Sequence, residues 1–311
     1  MKQTSLPANG INGLRQRSLQ SAYGARKGFS GRGPSTYGMA AAPSRTANRA
    51  APPAERRGPE GYSERMELQG RVALIAGGTR IGGPVARELA RGGAHVAVVY
   101  RTSRLAAERT AEDVRALGSR AVVLQADLAT IDAGDRVVTE VVAALGRLDV
   151  LVHMASVYRQ RAFDVLTPAD WDEQMAVDLR SAWLCARAAV PHMRRVGGGR
   201  IVVCSDWVAR SGRPRYPGYL HYYVAKAGVM ALAEALALEL AADGILVNAV
   251  APGPILPGDS ATAEYVQAVE RETPVGRWGG GEEVAKVIGA LIASDFVTGE
   301  TIRVDGGRHV R

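Results

Sequence analysis

Cysteine is nearly absent: Cys185 and Cys204 are the two thiols of a 311-residue chain. So few cysteines exclude a disulfide framework and point to a reducing compartment, the cytoplasm. Histidine is almost as sparse. His95, His153, His192, His221 and His309 are dispersed, none with cysteine or histidine company at metal-ligand spacing, so no metal site is expected. Long apolar runs are missing as well. The richest, residues 227–242, is broken by Glu234 and Glu239 and falls short of the ~18 residues of a membrane span.

Positive charge is confined to one end. The first 60 residues hold ten Lys and Arg against Glu55 and Glu60, a balance of +8 that equals the net charge of the whole chain. Residues 61–311 are therefore neutral overall, and a nucleic-acid partner has no electrostatic footprint there. Residues 1–65, rich in Gly, Ser, Ala, Pro and Arg, cannot bury enough apolar surface to offset chain entropy and read as a disordered basic extension. An Arg/Ser-rich, acid-poor start also resembles an organelle transit peptide, but no amphipathic arginine face supports that over a plain extension.

From residue 66 onward the pattern changes. Short apolar runs near 71–76, 95–100, 121–125, 149–153, 200–204, 245–250 and 301–304 alternate with helical patterns near 82–92, 104–117, 131–145, 168–195 (as two segments), 221–242 and 282–293. Such alternation predicts repeated βαβ units, and the continuous apolar strands predict a sheet covered on both faces. Residues 66–311 are thus expected to form one α/β domain, a Rossmann-type doubly wound sheet of seven parallel strands.

Three places along this domain carry chemistry. A glycine-rich strand-to-helix turn, Gly77-Gly78-Thr79-Arg80-Ile81-Gly82, would let the backbone approach a pyrophosphate at a helix N-terminus. The second strand ends in Tyr100-Arg101-Thr102-Ser103 rather than in an acid, which suits a ribose 2′-phosphate and favours NADPH/NADP+ over NAD(H). Tyr222 and Lys226 lie four apart on one helix face. An ammonium beside a phenol favours the phenolate, so the Tyr222 pKa is expected below its usual value, within reach of proton exchange with a carbonyl or alcohol.

With Leu148-Asp149-Val150-Leu151-Val152, Val247-Asn248-Ala249-Val250-Ala251-Pro252-Gly253-Pro254-Ile255 and the closing Val297-Thr298-Gly299 to Asp305-Gly306-Gly307, these motifs resemble the short-chain dehydrogenase/reductase family over residues 68–311. The resemblance implies hydride transfer between a nicotinamide and a carbonyl carbon while Tyr222 moves the proton, helped by Lys226. It further implies that Asp127 and Leu128 meet the adenine, that Ala155, Pro252, Gly253 and Ile255 flank the nicotinamide, and that the protein is a homotetramer or dimer. A substrate loop is expected between 255 and 278, where Pro and Gly interrupt the helical pattern.

The chain departs from the family at its helpers. Asp206 aligns with the usual serine, Ser205 being the alternative, and Asp178 stands where an asparagine is expected. His153-Met154-Ala155-Ser156 replaces the usual Asn-Asn-Ala-Gly, with His153 read as a structural substitute. Arg80 before Ile81-Gly82, the Tyr100-to-Ser103 run, Tyr158 and Asp206 resemble pteridine-reductase-like members, with Arg80, Ser156, Tyr158 and Trp207 facing the small-molecule substrate. A carbonyl or pteridine substrate is the leading expectation. A 3-oxoacyl-thioester reductase and a non-catalytic NADP(H)-binding scaffold are the alternatives.

Overall fold

The computed structural model describes residues 66–78, 80–211, 215–258 and 260–311. The basic extension at 1–65 and Thr79 lie outside the described residues.

Seven strands form one parallel sheet. They are β1 (Val72–Gly77), β2 (His95–Tyr100), β3 (Ala121–Gln125), β4 (Val150–Met154), β5 (Gly199–Cys204), β6 (Ile245–Pro252) and β7 (Thr301–Val304), in the order β3-β2-β1-β4-β5-β6-β7. The direction of winding reverses between β1 and β4. Ligands of open α/β sheets bind at such a switch point, beyond the carboxyl ends of the strands. Between the strands run α1 (Gly82–Arg91), α2 (Arg104–Ala116), α3 (Ala133–Leu145), α4 (Pro168–Gln174), α5 (Ser181–Arg195), α6 (Trp207–Arg210), α7 (Leu220–Leu240), α8 (Ala263–Glu272) and α9 (Gly281–Ala293).

The strands are apolar throughout because helices cover both faces. On one face, α3, α5 and α7 pack through Val137, Val141, Val190, Met193, Val229 and Leu240, all buried. On the other, α1, α2 and α9 pack through Val85, Leu89, Val114, Ile288 and Ile292. Residues Val72 to Ala76 of β1 are fully inaccessible. Asp149 pins the lower edge: its carboxylate accepts from the Val72 backbone N–H at 2.9 Å and pairs with Arg71 at 3.0 Å and Arg147 at 2.7 Å. Among the described residues no helix is long and apolar enough to cross a membrane.

Two local features differ from the sequence expectation. The span 168–195 does form two segments, α4 and α5, but a π-helical turn that the sequence did not show, Met175–Arg180, joins them. Helix α4 begins at a reciprocal capping box between Thr167 and Asp170, with Pro168 in the first turn. The expected substrate loop is partly helical, since α8 starts where the Thr262 hydroxyl accepts the Tyr265 N–H.

Candidate active site

The carboxyl ends of β4 and β5 and the first turns of α7 converge on Tyr222, which is 7% exposed, and Lys226, 2% exposed. The Tyr222 hydroxyl donates to Asp206 Oδ2 at 2.8 Å. Asp206 sits directly after β5 and caps α6, its Oδ1 accepting the Val208 N–H at 2.9 Å. One residue just past the strand thus starts a helix and meets the phenol.

Lys226 is held by two oxygens. Its Nζ lies 3.0 Å from Asp178 Oδ2 and donates to the Cys204 carbonyl at 2.9 Å. Asp178, 1% exposed, is carried into the site by the π turn. Its remaining acceptor capacity is used: Oδ2 takes the Ser156 hydroxyl at 2.6 Å, and Oδ1 takes the Val157 N–H at 3.0 Å and the Gln174 amide at 2.8 Å. An asparagine could accept only on one side, so this set of donors suits a carboxylate.

These partners reverse the expected titration of Tyr222. Burial first, then the Asp206 and Asp178 carboxylates, push the phenol well above its ordinary value. The ammonium that was to lower it lies 5.6 Å from the ring centroid and is matched by Asp178. For Lys226 itself, burial works against the charge, but Asp178 and Cys204 outweigh it and leave the ammonium above its usual value. Burial raises the Asp206 carboxyl, with the Val208 N–H and the Tyr222 hydroxyl opposing.

The cofactor end is a shallow groove between the glycine turn, the end of β2 and α2, lined in part by Gly77, Gly78, Gly82, Tyr100 and Ser103. Gly77 and Gly78 have φ of +83° and +82°. A Cβ on Gly77 would lie 2.6 Å from the Ala155 Cα, and one on Gly78 2.8 Å from the Met154 Cβ. Backbone this bare, at the N-terminal end of α1, is what a pyrophosphate needs. Arg101, Thr102 and Asp127 are exposed, and the Asp127 carboxylate accepts the Ala129 N–H. Gly253 presses on the residue after β7, where a Cβ would come 2.5 Å from that of Asp305, while Ile255 and Leu128 are buried.

Residues 75–309 match the family model described as enoyl-(acyl carrier protein) reductase. The chain is similar to the 3-oxoacyl-[acyl-carrier-protein] reductase FabG of Staphylococcus aureus, 36% identical over 244 residues, covering 76% of this chain and 98% of that protein. Its fold matches a short-chain dehydrogenase/reductase of Serratia marcescens with a TM-score of 0.73 and 31% identity, over 78% of this chain and 99% of the other. Acetoin dehydrogenase of Enterobacter cloacae gives a TM-score of 0.71 at 33% identity, over 78% and 96%. The chain belongs to the short-chain dehydrogenase/reductase family. It is an NAD(P)-dependent oxidoreductase on a Rossmann-type sheet.

Against the family pattern, several expected site residues take other places. Of the two candidates for the family's serine position, the structure brings Asp206 to the tyrosine. Ser205 is buried with its hydroxyl on the Lys226 carbonyl at 2.8 Å. Ser156, expected against substrate, gives its hydroxyl to Asp178. Trp207, also expected there, is 3% exposed, with the guanidinium groups of Arg215 and Arg308 over its ring at 5.0 and 5.7 Å. Arg80 reaches neither phosphate groove nor phenol; it donates to the Leu256 and Pro257 carbonyls at 2.8 and 2.6 Å, tying the glycine turn to the segment before α8.

Tyr158 does face the site. Its ring stacks on Tyr219 at 4.6 Å and meets Tyr222 edge-on at 4.8 Å, with 58% of the residue exposed. Tyr219 and Gln174 were not singled out from sequence. Gln174 stands four before Asp178, a spacing that could have flagged it, but Tyr219 precedes its helix in an irregular segment with no such signal. His153 is buried at the end of β4, its Nε2 on the Ser181 hydroxyl at 2.7 Å. Because that hydroxyl donates onward to the Val177 carbonyl, the imidazole must donate to it. Burial, then the Lys226 charge, lower its pKa to about 3, so it stays neutral.

Proposed function

We propose that this chain is an NADPH-dependent reductase of a carbonyl or pteridine-like substrate with Tyr222 as proton donor. The observation that carries it is Tyr222 at the switch-point crevice, hydrogen-bonded to Asp206 and beside an ammonium fixed by Asp178. Bound NADPH would supply the hydride. The groove beside Gly77 and Gly82 fits its pyrophosphate, with Ile81 at the helix start, and the Tyr100 to Ser103 segment its ribose phosphate. Ala155, Pro252, Gly253 and Ile255 are assigned to the nicotinamide, and Lys226 to holding positive charge beneath it. A carbonyl oxygen brought to the Tyr222 hydroxyl takes its proton as the hydride reaches carbon.

The exposed stack of Tyr158 on Tyr219 supports a flat ring as substrate, because such a plate offers aromatic area for stacking. A second reading, reduction of a 3-oxoacyl thioester, is favoured by the names of the similar Staphylococcus and Aquifex proteins. NADPH consumption on a panel of simple ketones, dihydrofolate, biopterin and an acetoacetyl thioester separates them. Activity confined to the thioester would overturn the leading reading. NADPH binding with no turnover on any member would support a scaffold instead.

A homo-oligomer is part of the same reading. Helix α7 exposes Leu220, Val224 and Leu238, and α5 exposes Trp183, apolar surface that a second copy could cover. The basic extension at 1–65 is assigned no part in catalysis, and the cytoplasm is the proposed location.

A further inference from the structure

The groups around Tyr222 come from four places. Cys204 ends β5 and Asp206 follows it, Asp178 comes from the π turn, Tyr158 from the segment after β4, and Tyr219 and Lys226 from the start of its own helix. His153 beyond Lys226 is neutral. The fixed charges are therefore two carboxylates against one ammonium. With the serine and asparagine usual at these positions, the ammonium would stand alone.

We propose that Asp206 and Asp178 are positioning residues that keep Tyr222 in its phenol form through neutral and moderately alkaline pH, so that the phenolate needed as base for alcohol oxidation is scarce in that range. The inference rests on the reductase reading of the same site. Its physical ground is the 2.8 Å contact. Asp206 and Tyr222 titrate as a pair, and the first proton leaves the carboxyl, by its nature the stronger acid. Removing the second would set two anions in hydrogen-bond contact in a largely dry site. Asp178 adds to this indirectly, by cancelling the ammonium that would otherwise favour the phenolate. The raised titration of Tyr222 agrees in direction.

Alcohol oxidation needs the phenolate as base, so the two directions must differ in pH dependence. The alcohol's hydroxyl proton would pass to the Tyr222 oxygen and its hydride to NADP+, the reverse of reduction.

The test uses the full chain and a Tyr222→Phe control. The difference in phenolate absorbance between them reports Tyr222 without turnover, and no Tyr222 phenolate is expected up to about pH 10. In Asp206→Ser and in Asp178→Asn it should form at least about one pH unit lower. Serine caps a helix about as well as aspartate, so α6 should survive the first change. With NADP+ and the alcohol of an accepted carbonyl, oxidation by the parent should climb about tenfold per pH unit without levelling before about pH 10, while Asp206→Ser levels earlier. A parent phenolate appearing below about pH 9, or an unshifted titration in both variants, would overturn the inference. If no carbonyl is reduced, the reductase reading falls alone, and the absorbance titration still decides the state of Tyr222.

Discussion

Tyr222 and Asp206 stand sixteen positions apart, yet the phenol donates to the carboxylate across 2.8 Å. The contact exists because β5 ends one residue before Ser205 and Asp206 must cap α6, which turns its second oxygen toward the first turns of α7. The same geometry that starts a short helix places a negative charge on the proton donor.

Removing that donor should cost most. Tyr222→Phe keeps the ring packed against Tyr158 and Lys226 but has no proton to give. We expect turnover with NADPH to fall by about a hundredfold or more with cofactor affinity little changed. Steady-state rates and NADPH fluorescence titration on the same preparation measure both.

Asp178→Ala should destabilise the fold. It leaves Lys226, 2% exposed, without its carboxylate and strands the Ser156, Val157 and Gln174 donors. Breaking a buried pair by removing one partner costs about 3–5 kcal/mol. The urea midpoint of Asp178→Ala should drop accordingly, with Asp178→Asn clearly less affected.

His153 predicts an acid limb. Its folded pKa of about 3 lies below the unfolded value near 6.5, so the unfolded chain binds the extra proton between those limits. Stability from this group is complete above about pH 6.5 and is lost as pH falls toward 3, at up to about 1.4 kcal/mol per pH unit. His153→Gln should flatten the dependence of unfolding free energy on pH in that window, measured by urea unfolding.

Arg101 should choose the cofactor. It is exposed at the end of β2 beside the groove and faces no acidic residue in the Tyr100 to Ser103 run. A charge-assisted contact to a ribose phosphate is worth about 1.5–3 kcal/mol, so Arg101→Ala should raise the KM for NADPH roughly ten- to hundredfold and leave that for NADH nearly unchanged. Equal effects on both cofactors would remove Arg101 from recognition.

Much of this was legible in the chain itself. The strand runs and the Tyr222/Lys226 spacing depend on local periodicity, so they survive into the structure within a residue or two. Asp206 was legible as well, because its place is fixed by the end of a strand. What escaped depends on contacts between distant segments. The π turn that swings Asp178 onto Lys226, the burial of Trp207 under Arg215 and Arg308, and the stack of Tyr219 on Tyr158 leave no periodic trace. The expectation of a lowered Tyr222 failed for the same reason. Sequence showed the ammonium and singled out Asp178, but not that the two would pair. Helix α8 was hidden by the prolines and glycines on either side of it, although Ala263–Glu272 itself contains no breaker.

The central claim, reduction by NADPH with Tyr222 as the proton donor, is tested most directly by following loss of reduced nicotinamide absorbance with the ketone, pterin and thioester panel for the parent chain and for Tyr222→Phe side by side. At least one ketone or pterin should be reduced by the parent, at a rate that falls by about a hundredfold or more in the variant. Undiminished reduction by Tyr222→Phe would contradict it.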